Sequence, residues 1–550
     1  MKIFKKENCL IFLILILAAT FRIAALNKVP NNLFGDEIDV GFHALSLFKS
    51  GKDYMGNFLP FYFQSLNEWR APLLMYFASP FVGFLGLNEW GIRLPSVFFG
   101  LLSVFLLYRL VIELFNDKKI ALIAAFVCSI IPWHIHYSRV AFESTLLLSL
   151  LLLGTILFLR KKFLLSAVSF SLSFYTYNTA NVFTPLFVLG LFLLEKEKRV
   201  FFQKKSLVSL FLAIFICFPL FWSIFKGEAA TRFKTISIFN DAKTINKIVF
   251  KRNTGVLVGE RIFHNKINSW SKNFINNYLT SFSPQFLFLT GDPNPRHNVP
   301  GFGELFLWMM PFFLLGVNFL LKEKQISRNI VFLWLLLSPI PSSLTADGSQ
   351  HATRLFLMIP PVVILVAYGI NKIFISSKTY IGLIVISVFF SFFWFHEYFV
   401  HYPKEQSEFW DYGYKEIFTW LNQHEQNYSR IIINNTHDPL VLRYVFWTKK
   451  TPDWFRSNFI TEKPTENILT QFDGFSLGKV YFGKINAPDK SEWLTKNLDE
   501  KTIYLAFQKD EIVGNWNWEE DPPKGIKVLK LIKKPFSNEP YIYFLTKEIK

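Results

Sequence analysis

Cysteine is nearly absent: Cys9, Cys128 and Cys217 are the three in 550 residues, all inside apolar runs and without metal-ligand spacing. This excludes a disulfide framework and a cysteine zinc site, and leaves three small apolar thiols. No nucleotide-binding motif occurs, which disfavours a soluble nucleotide sugar as a direct ligand. No internal repeat occurs, which argues against a transporter with a midplane site. Acidic residues are outnumbered 41 to 59 by lysine and arginine, for a net charge of +18. Most of the excess sits in short loops between apolar runs, so it reports membrane orientation and not a nucleic-acid surface. Small-x-small cleavage residues are also missing after "MKIFKKENCLIFLILILAATF", so this signal-like start reads as a retained first span.

Apolar bulk is what the chain has in quantity. Hydrophobic residues make up 51% of it, and 65 of them are phenylalanine. Apolar runs recur from residue 9 to 399, each near the roughly 20 residues that cross a hydrocarbon core. From about residue 400 the texture changes to polar sequence with the strand-length stretches "RIIIN" (430–434), "KVYFG" (479–483) and "TIYLAF" (502–507). The expected organisation is a membrane domain, 1–400, followed by a small α/β domain, 401–550.

Basic residues set the topology. Lys2, Lys5 and Lys6 hold the N-terminus in the cytoplasm. The clusters Lys118/Lys119, Arg160-Lys161-Lys162, 195–205, 322–328 and Lys372/Lys378 are cytoplasmic by the same rule. That requires the run 71–87 to lie in the outer interface. The spans are then eleven: 9–26, 92–115, 119–135, 143–159, 163–177, 181–194, 206–225, 304–321, 329–345, 354–374 and 379–399. The α/β domain is outside. So are "NNLFGDEIDVGFHAL" (31–45), "LNEWRAP" (66–72), "WHIHYSRVAFES" (133–144), "YTYNTAN" (175–181), the segment 226–303 and "ADGSQHATR" (346–354). Charge at the rim of an apolar bundle is expensive, so a functional site is its default explanation.

The order "GDE" after the first span, "RLPSVFFGLLSVFLLYRL" (93–110), "HIHYSRVAFES", "YTYNTANVFTP", "GDPNPRHNVPGFGELF" (291–306) and "SLTADGSQHATRLFLMIPPVVILVAYG" (343–369) resembles a known family over residues 9–400. The likeness is to bacterial polyprenyl-phosphate-sugar glycosyltransferases of the GT-C fold, the group of protein O-mannosyltransferases and lipid A aminoarabinose transferases (glycosyltransferase family 39). It implies an α-helical polytopic membrane enzyme that transfers a sugar from a polyprenyl-phosphate donor to an envelope acceptor: protein, lipid A or glycan. The place implied is the outer face of the inner (plasma) membrane.

By this resemblance Asp36 contacts the acceptor nucleophile, with Glu37 beside it and Glu143 as a further carboxylate, longer by one methylene than the Asp of relatives. A carboxylate that accepts the proton of an attacking hydroxyl or amine makes it a better nucleophile. One carboxylate opposite a phosphate leaving group predicts inversion. The phosphate calls for a permanent cation with a planar fork, and Arg70, Arg139 and Arg354 are the candidates. Glu68 is similar to the acid of an acid-basic-proline motif near which relatives hold metal, although "EWRAP" carries extra residues. Glu68 and His297 are therefore the metal candidates, and a divalent ion is the one cofactor left open. Tyr175, Tyr177, His297 and His351 complete the expected site. His134 and His136, alternating with aromatics, read as packing residues.

The competing readings are an interfacial acid or helix cap for Asp36, a snorkelling Arg139 and an aromatic belt for the tyrosines. A polysaccharide polymerase or ligase is the alternative enzyme. Cysteine labelling checks the topology: a Cys beside Asn435 reacts with an impermeant reagent from outside and one beside Lys161 does not. The reverse pattern would remove the site from the outer face.

Overall fold

The computed structural model describes residues 6–66, 68–197, 199, 203–227, 235–255, 259–373, 377–436, 439–459, 469–511 and 517–548. Lys2, Lys5, Asn67 and Lys198 of the segments above lie outside the described residues. The chain forms two compact units. One comprises Met1–Leu26, Pro60–Phe81 and Trp90–Phe399; the other comprises Asn27–Leu59, Val82–Glu89 and Val400–Lys550. The segment that carries Asp36 thus groups with the C-terminal α/β sequence and not with the apolar helices.

In the first unit every one of the eleven apolar runs contains helix. Four helices among the described residues are long and apolar enough to cross a membrane: Glu89–Phe115, Lys204–Lys226, Ala352–Ile373 and Ile381–Glu405. A fifth span is available if Lys118–Ile130 and Pro132–Ser138, bent by 63°, count as one. The bend falls at Pro132, whose ring disfavours a helical residue before it, and Ile131 is extended with φ −65° and ψ 137°. The others are shorter. Phe163–Ser173, with 11 residues, stops where the Ser173 hydroxyl turns back to Phe170 O (2.6 Å) and that of Thr176 to Ser173 O (2.6 Å). The run expected at the outer interface is the helix Leu73–Leu85. A two-residue hairpin, β1 (Phe63–Gln64) with β2 (Trp69–Arg70), precedes it.

The second unit is built on six strands: β3 (Arg430–Asn434), β4 (Phe472–Leu477), β5 (Val480–Ile485), β6 (Thr502–Phe507), β7 (Ile526–Lys533) and β8 (Pro540–Lys547), ordered β4-β5-β3-β6-β8-β7. The three strand-length stretches read from the sequence are β3, β5 and β6, which run parallel at the centre. Alternation places Ile432 and Tyr504 in the core with Phe472, Trp493 and Tyr543. The strand is buried on both sides, since Ile431 and Ile433 are also fully covered. Phe482 packs on Tyr444 of the helix Leu440–Trp447, ring centroids 5.7 Å apart.

Glycine sets the closest helix pair of the first unit. A Cβ on Gly316 would lie 1.9 Å from Leu365 O, and one on Gly369 would lie 2.0 Å from Phe312 O. Small residues let two helix backbones meet where lipid gives no hydrophobic drive. Gly369→Ala is expected to destabilise by about 1–3 kcal/mol, the usual cost of overpacking. Gly382→Ala, with open space around it, is the control. Thermal unfolding in detergent measures both, and equal transition temperatures would contradict the contact.

Candidate active site

Buried arginines shape the polar centre of the first unit. Arg22 donates to Ala18 O (3.0 Å), Ser129 O (3.1 Å), Cys128 O (3.3 Å), Ser138 Oγ (3.2 Å) and His134 Nδ1 (2.6 Å). Arg139 donates to Phe21 O (2.9 Å), Arg22 O (3.1 Å) and Ala25 O (3.3 Å), with its guanidinium over the rings of Tyr398 and Phe399. Both groups satisfy the orphan carbonyls of a helix end, which also carries the negative pole of the helix dipole. Arg139 therefore works as a clamp on the end of the first helix, its two terminal nitrogens on those carbonyls. His134 and His136 are packed inside, as expected. His134 meets Ser103 Oγ (2.8 Å), and His136 meets Arg296 O (2.8 Å) and Tyr398 Oη (3.2 Å).

The helix Pro132–Ser138 then pins two loops together. Trp133 N donates to Glu304 O (3.1 Å) and its indole to Ala352 O (3.2 Å). Asp292 completes the staple by accepting Ala352 N (2.8 Å) and Asn294 N (2.8 Å), while its own N–H donates to Glu304 Oε1 (3.1 Å). Burial pushes the Asp292 carboxyl up to about 6. Asp292, His297 and His351 each offer one ligand atom within 4.8 Å of the others, the one such group of three or more among the described residues. The hydroxyls of Tyr137 (3.3 Å) and Thr353 (3.2 Å) meet the Nδ1 edge of His297. Hydroxyls that accept a ring N–H at this edge fix the orientation and tautomer of the imidazole.

The sequence singles out His297 and His351 but passes over Asp292, although "GDPNPRH" sets a carboxylate five residues before a histidine. Glu68, the other metal candidate, is elsewhere employed: it pairs with Arg70 at 2.7 Å at the end of the hairpin. Arg354 is buried, ion-paired to Asp347 and bonded to Thr345 Oγ1 (2.6 Å). With Tyr177, Asn178 and Thr179 it lines a cavity of 50 Å³. Tyr175 is a core residue, its hydroxyl on Ile216 O (2.5 Å) and its ring beside Tyr62 and Leu220. Glu143 stands at the start of the helix Ser144–Leu159, half-buried and without a capping bond from its side chain.

In the second unit "GDEIDVGFHALSLFKS" is the helix Gly35–Ser50, not a loop. Asp36 and Glu37 occupy its first turn, where the dipole favours negative charge. Asp36 is half-buried and Glu37 fully buried. Asp39 serves the scaffold by accepting the Tyr54 hydroxyl (2.8 Å), with His43 at 3.8 Å. The helix start is held by Phe34 against Trp410 and by Asn32 on Asp411 O (2.6 Å). Arg443, paired with Asp411 at 2.6 Å, crowds Gly35: a Cβ there would lie 3.1 Å from its Nη2.

Arg139→Lys tests the clamp. Loss of the fork strands carbonyls that are buried or half-buried, each worth up to about 1–3 kcal/mol, so unfolding temperature should fall clearly. An unchanged unfolding temperature would contradict the clamp.

Residues 69–222 match the family of dolichyl-phosphate-mannose-protein mannosyltransferases. No curated protein sequence matches the chain. Among solved structures, ArnT from Cupriavidus metallidurans bound to undecaprenyl phosphate superposes with a TM-score of 0.55 at 10% identity, covering 97% of each chain. The oligosaccharyltransferase AglB from Archaeoglobus fulgidus matches with a TM-score of 0.47 at 13% identity, over 80% of this chain and 63% of that one. The chain thus spans under two thirds of that archaeal enzyme. Arabinofuranosyltransferase AftD from Mycobacteria matches with a TM-score of 0.45 at 11% identity, over 99% and 41%. The protein is a multi-pass membrane protein with the GT-C fold seen in ArnT, and its residues 69–222 match the dolichyl-phosphate-mannose-protein mannosyltransferase model.

Proposed function

We propose that the protein transfers a sugar from a polyprenyl-phosphate-linked donor to an envelope acceptor at the outer face of the plasma membrane, with inversion. The observation that carries this reading is the mannosyltransferase match at 69–222, set in a fold shared over 97% of its length with a protein solved with undecaprenyl phosphate.

Asp36 is the base in this reading. It takes the proton of the acceptor hydroxyl or amine as that atom bonds to the anomeric carbon, while the bond from that carbon to the phosphate oxygen breaks and its electron pair leaves with polyprenyl phosphate. Its place in the first turn of a helix that continues to Ser50 gives the carboxylate a fixed backbone. Arg70 and Arg354 are the cations for the departing phosphate. Both now hold carboxylates, Glu68 and Asp347, which an anionic ligand would replace. Asp292, His297 and His351 are the residues that would hold a divalent cation. One oxygen and two nitrogens suit zinc with a position left open, and neutralising phosphate charge is what such an ion would supply.

Membranes bearing the protein, given a labelled polyprenyl-phosphate sugar, should release polyprenyl phosphate. Asp36→Asn keeps shape but cannot take the proton, so turnover should drop by roughly 10²- to 10⁴-fold with donor binding kept. Glu37→Gln should cost less, and Asp39→Asn should lower stability more than turnover. Arg354→Ala should weaken donor binding strongly, with partial rescue by Lys. A chelator should lower release, reversibly with zinc, in the parent but not in His351→Ala. A folded Asp36→Asn variant working at the parental rate would defeat the assignment.

A further inference from the structure

A cleft of 690 Å³ lies wholly within the second unit, in the size range of small-ligand sites, about 300–1,000 Å³. None of the transfer chemistry above uses it. Its walls come from the C-terminal half of the helix Gly35–Ser50, from residues 86–89, from the helix Tyr414–His424 and from residues 446–451.

Charge in the cleft is one-sided. Lys49, Lys415, Lys449 and Lys450 line it against a single carboxylate, Glu89. Lys415 pairs with Glu89 (2.6 Å), and Lys450 pairs with Glu425 (3.0 Å). Lys49 and Lys449 have no ion-pair partner among the described residues. The helices Gly35–Ser50 and Leu440–Trp447 end beside them, and each helix end carries about half a negative charge. Even so the four lysines remain in excess by about one charge. Lys449 also adopts φ 57°, a left-handed backbone that a side chain with a Cβ seldom takes, and its N–H bonds Phe446 O at 3.2 Å.

The second observation is Trp447. It lines the cleft, is 9% exposed, and its buried indole N–H has no hydrogen-bond partner among the described residues. A buried donor left unmade costs about 1–3 kcal/mol, and such a group calls for an explanation. The Lys415 ammonium lies over the ring, 5.1 Å from its centroid, and holds that cation at the cleft wall. The amides of Asn88, Asn422 and Gln423 line the same space. Amides that can both give and accept hydrogen bonds, together with excess cations, are the recognition chemistry of a hydroxyl-rich molecule that carries acid groups.

We propose that this cleft binds an anionic saccharide, one bearing carboxylates or phosphates on its sugars. Lys49 shares a helix with Asp36, thirteen residues on, about 20 Å along the axis at 1.5 Å per residue. One rigid element joins the cleft to the proposed base. The saccharide is therefore the acceptor or a part of it, a statement that rests on the transferase reading; the binding itself does not.

Calorimetry on the purified full chain tests it, with hexagalacturonate as the carboxylated probe, maltohexaose as its neutral counterpart, and inorganic phosphate and anionic phospholipid vesicles as the other anion sources. Hexagalacturonate should bind at least about tenfold more tightly than maltohexaose and weaken as salt is raised. The double variant Lys49→Ala/Lys449→Ala should lose about tenfold in affinity with unchanged unfolding temperature. Equal binding of the two hexasaccharides, or full affinity in the double variant, would overturn the proposal. So would tight binding of phosphate or vesicles without binding of hexagalacturonate. Polyprenyl phosphate release that persists without saccharide binding would sink this inference alone; saccharide binding without any release would sink the transferase reading alone.

Discussion

The first unit depends on the pairing of three buried guanidiniums with backbone carbonyls at helix ends. A helix that stops in or at the rim of an apolar bundle leaves carbonyls with little water to meet, and each costs free energy unless a donor is brought to it. Arg22 serves the end of Lys118–Ile130, Arg139 the end of the first helix, and Arg93 reaches Leu26 O at 2.9 Å. With those ends satisfied the chain can bend at Pro132 and run the short helix Pro132–Ser138 through the bundle. That helix holds the loop of Asp292 and His297 to the start of the helix after His351. The cluster of ligand atoms is a consequence of how the bundle ends its helices.

Much of this was legible in the sequence for a plain physical reason. Apolar runs and strand-length stretches report burial along a single element, and period and length suffice to find them. Hence each apolar run holds helix, and "RIIIN", "KVYFG" and "TIYLAF" are strands at the centre of the sheet. Arg139 was harder. An arginine beside a span end has the same sequence signature whether it meets a phosphate or three carbonyls, and only the position of the preceding helix decides between them. Asp292 escaped for a related reason: its partners are sixty residues away at His351 and Ala352, and no local pattern records that approach.

The grouping of residues 27–59 with the C-terminal sheet is the least local feature of all. "GDEIDVGFHAL" follows an apolar run and reads as a connecting loop, yet it is a helix whose face of Phe34, Phe42 and Ser46 is spent on Trp410, Phe455 and Arg456. Its acids sit in the first turn without a side-chain cap at Phe34. The α/β unit, whose role the sequence left open, therefore acts as the mount of the proposed base. A change in its packing near Asp411 or Arg443 would act on Asp36 through the helix start.

The central claim is chemical: one carboxylate acts on an acceptor while a phosphate leaves from the other side of the sugar. The most direct test is the anomeric configuration of the product that the purified protein forms from a polyprenyl-phosphate sugar of known configuration, read by NMR coupling constants. The account predicts an inverted linkage, with one polyprenyl phosphate released per sugar transferred. A retained linkage, or product formed without polyprenyl phosphate, would contradict it.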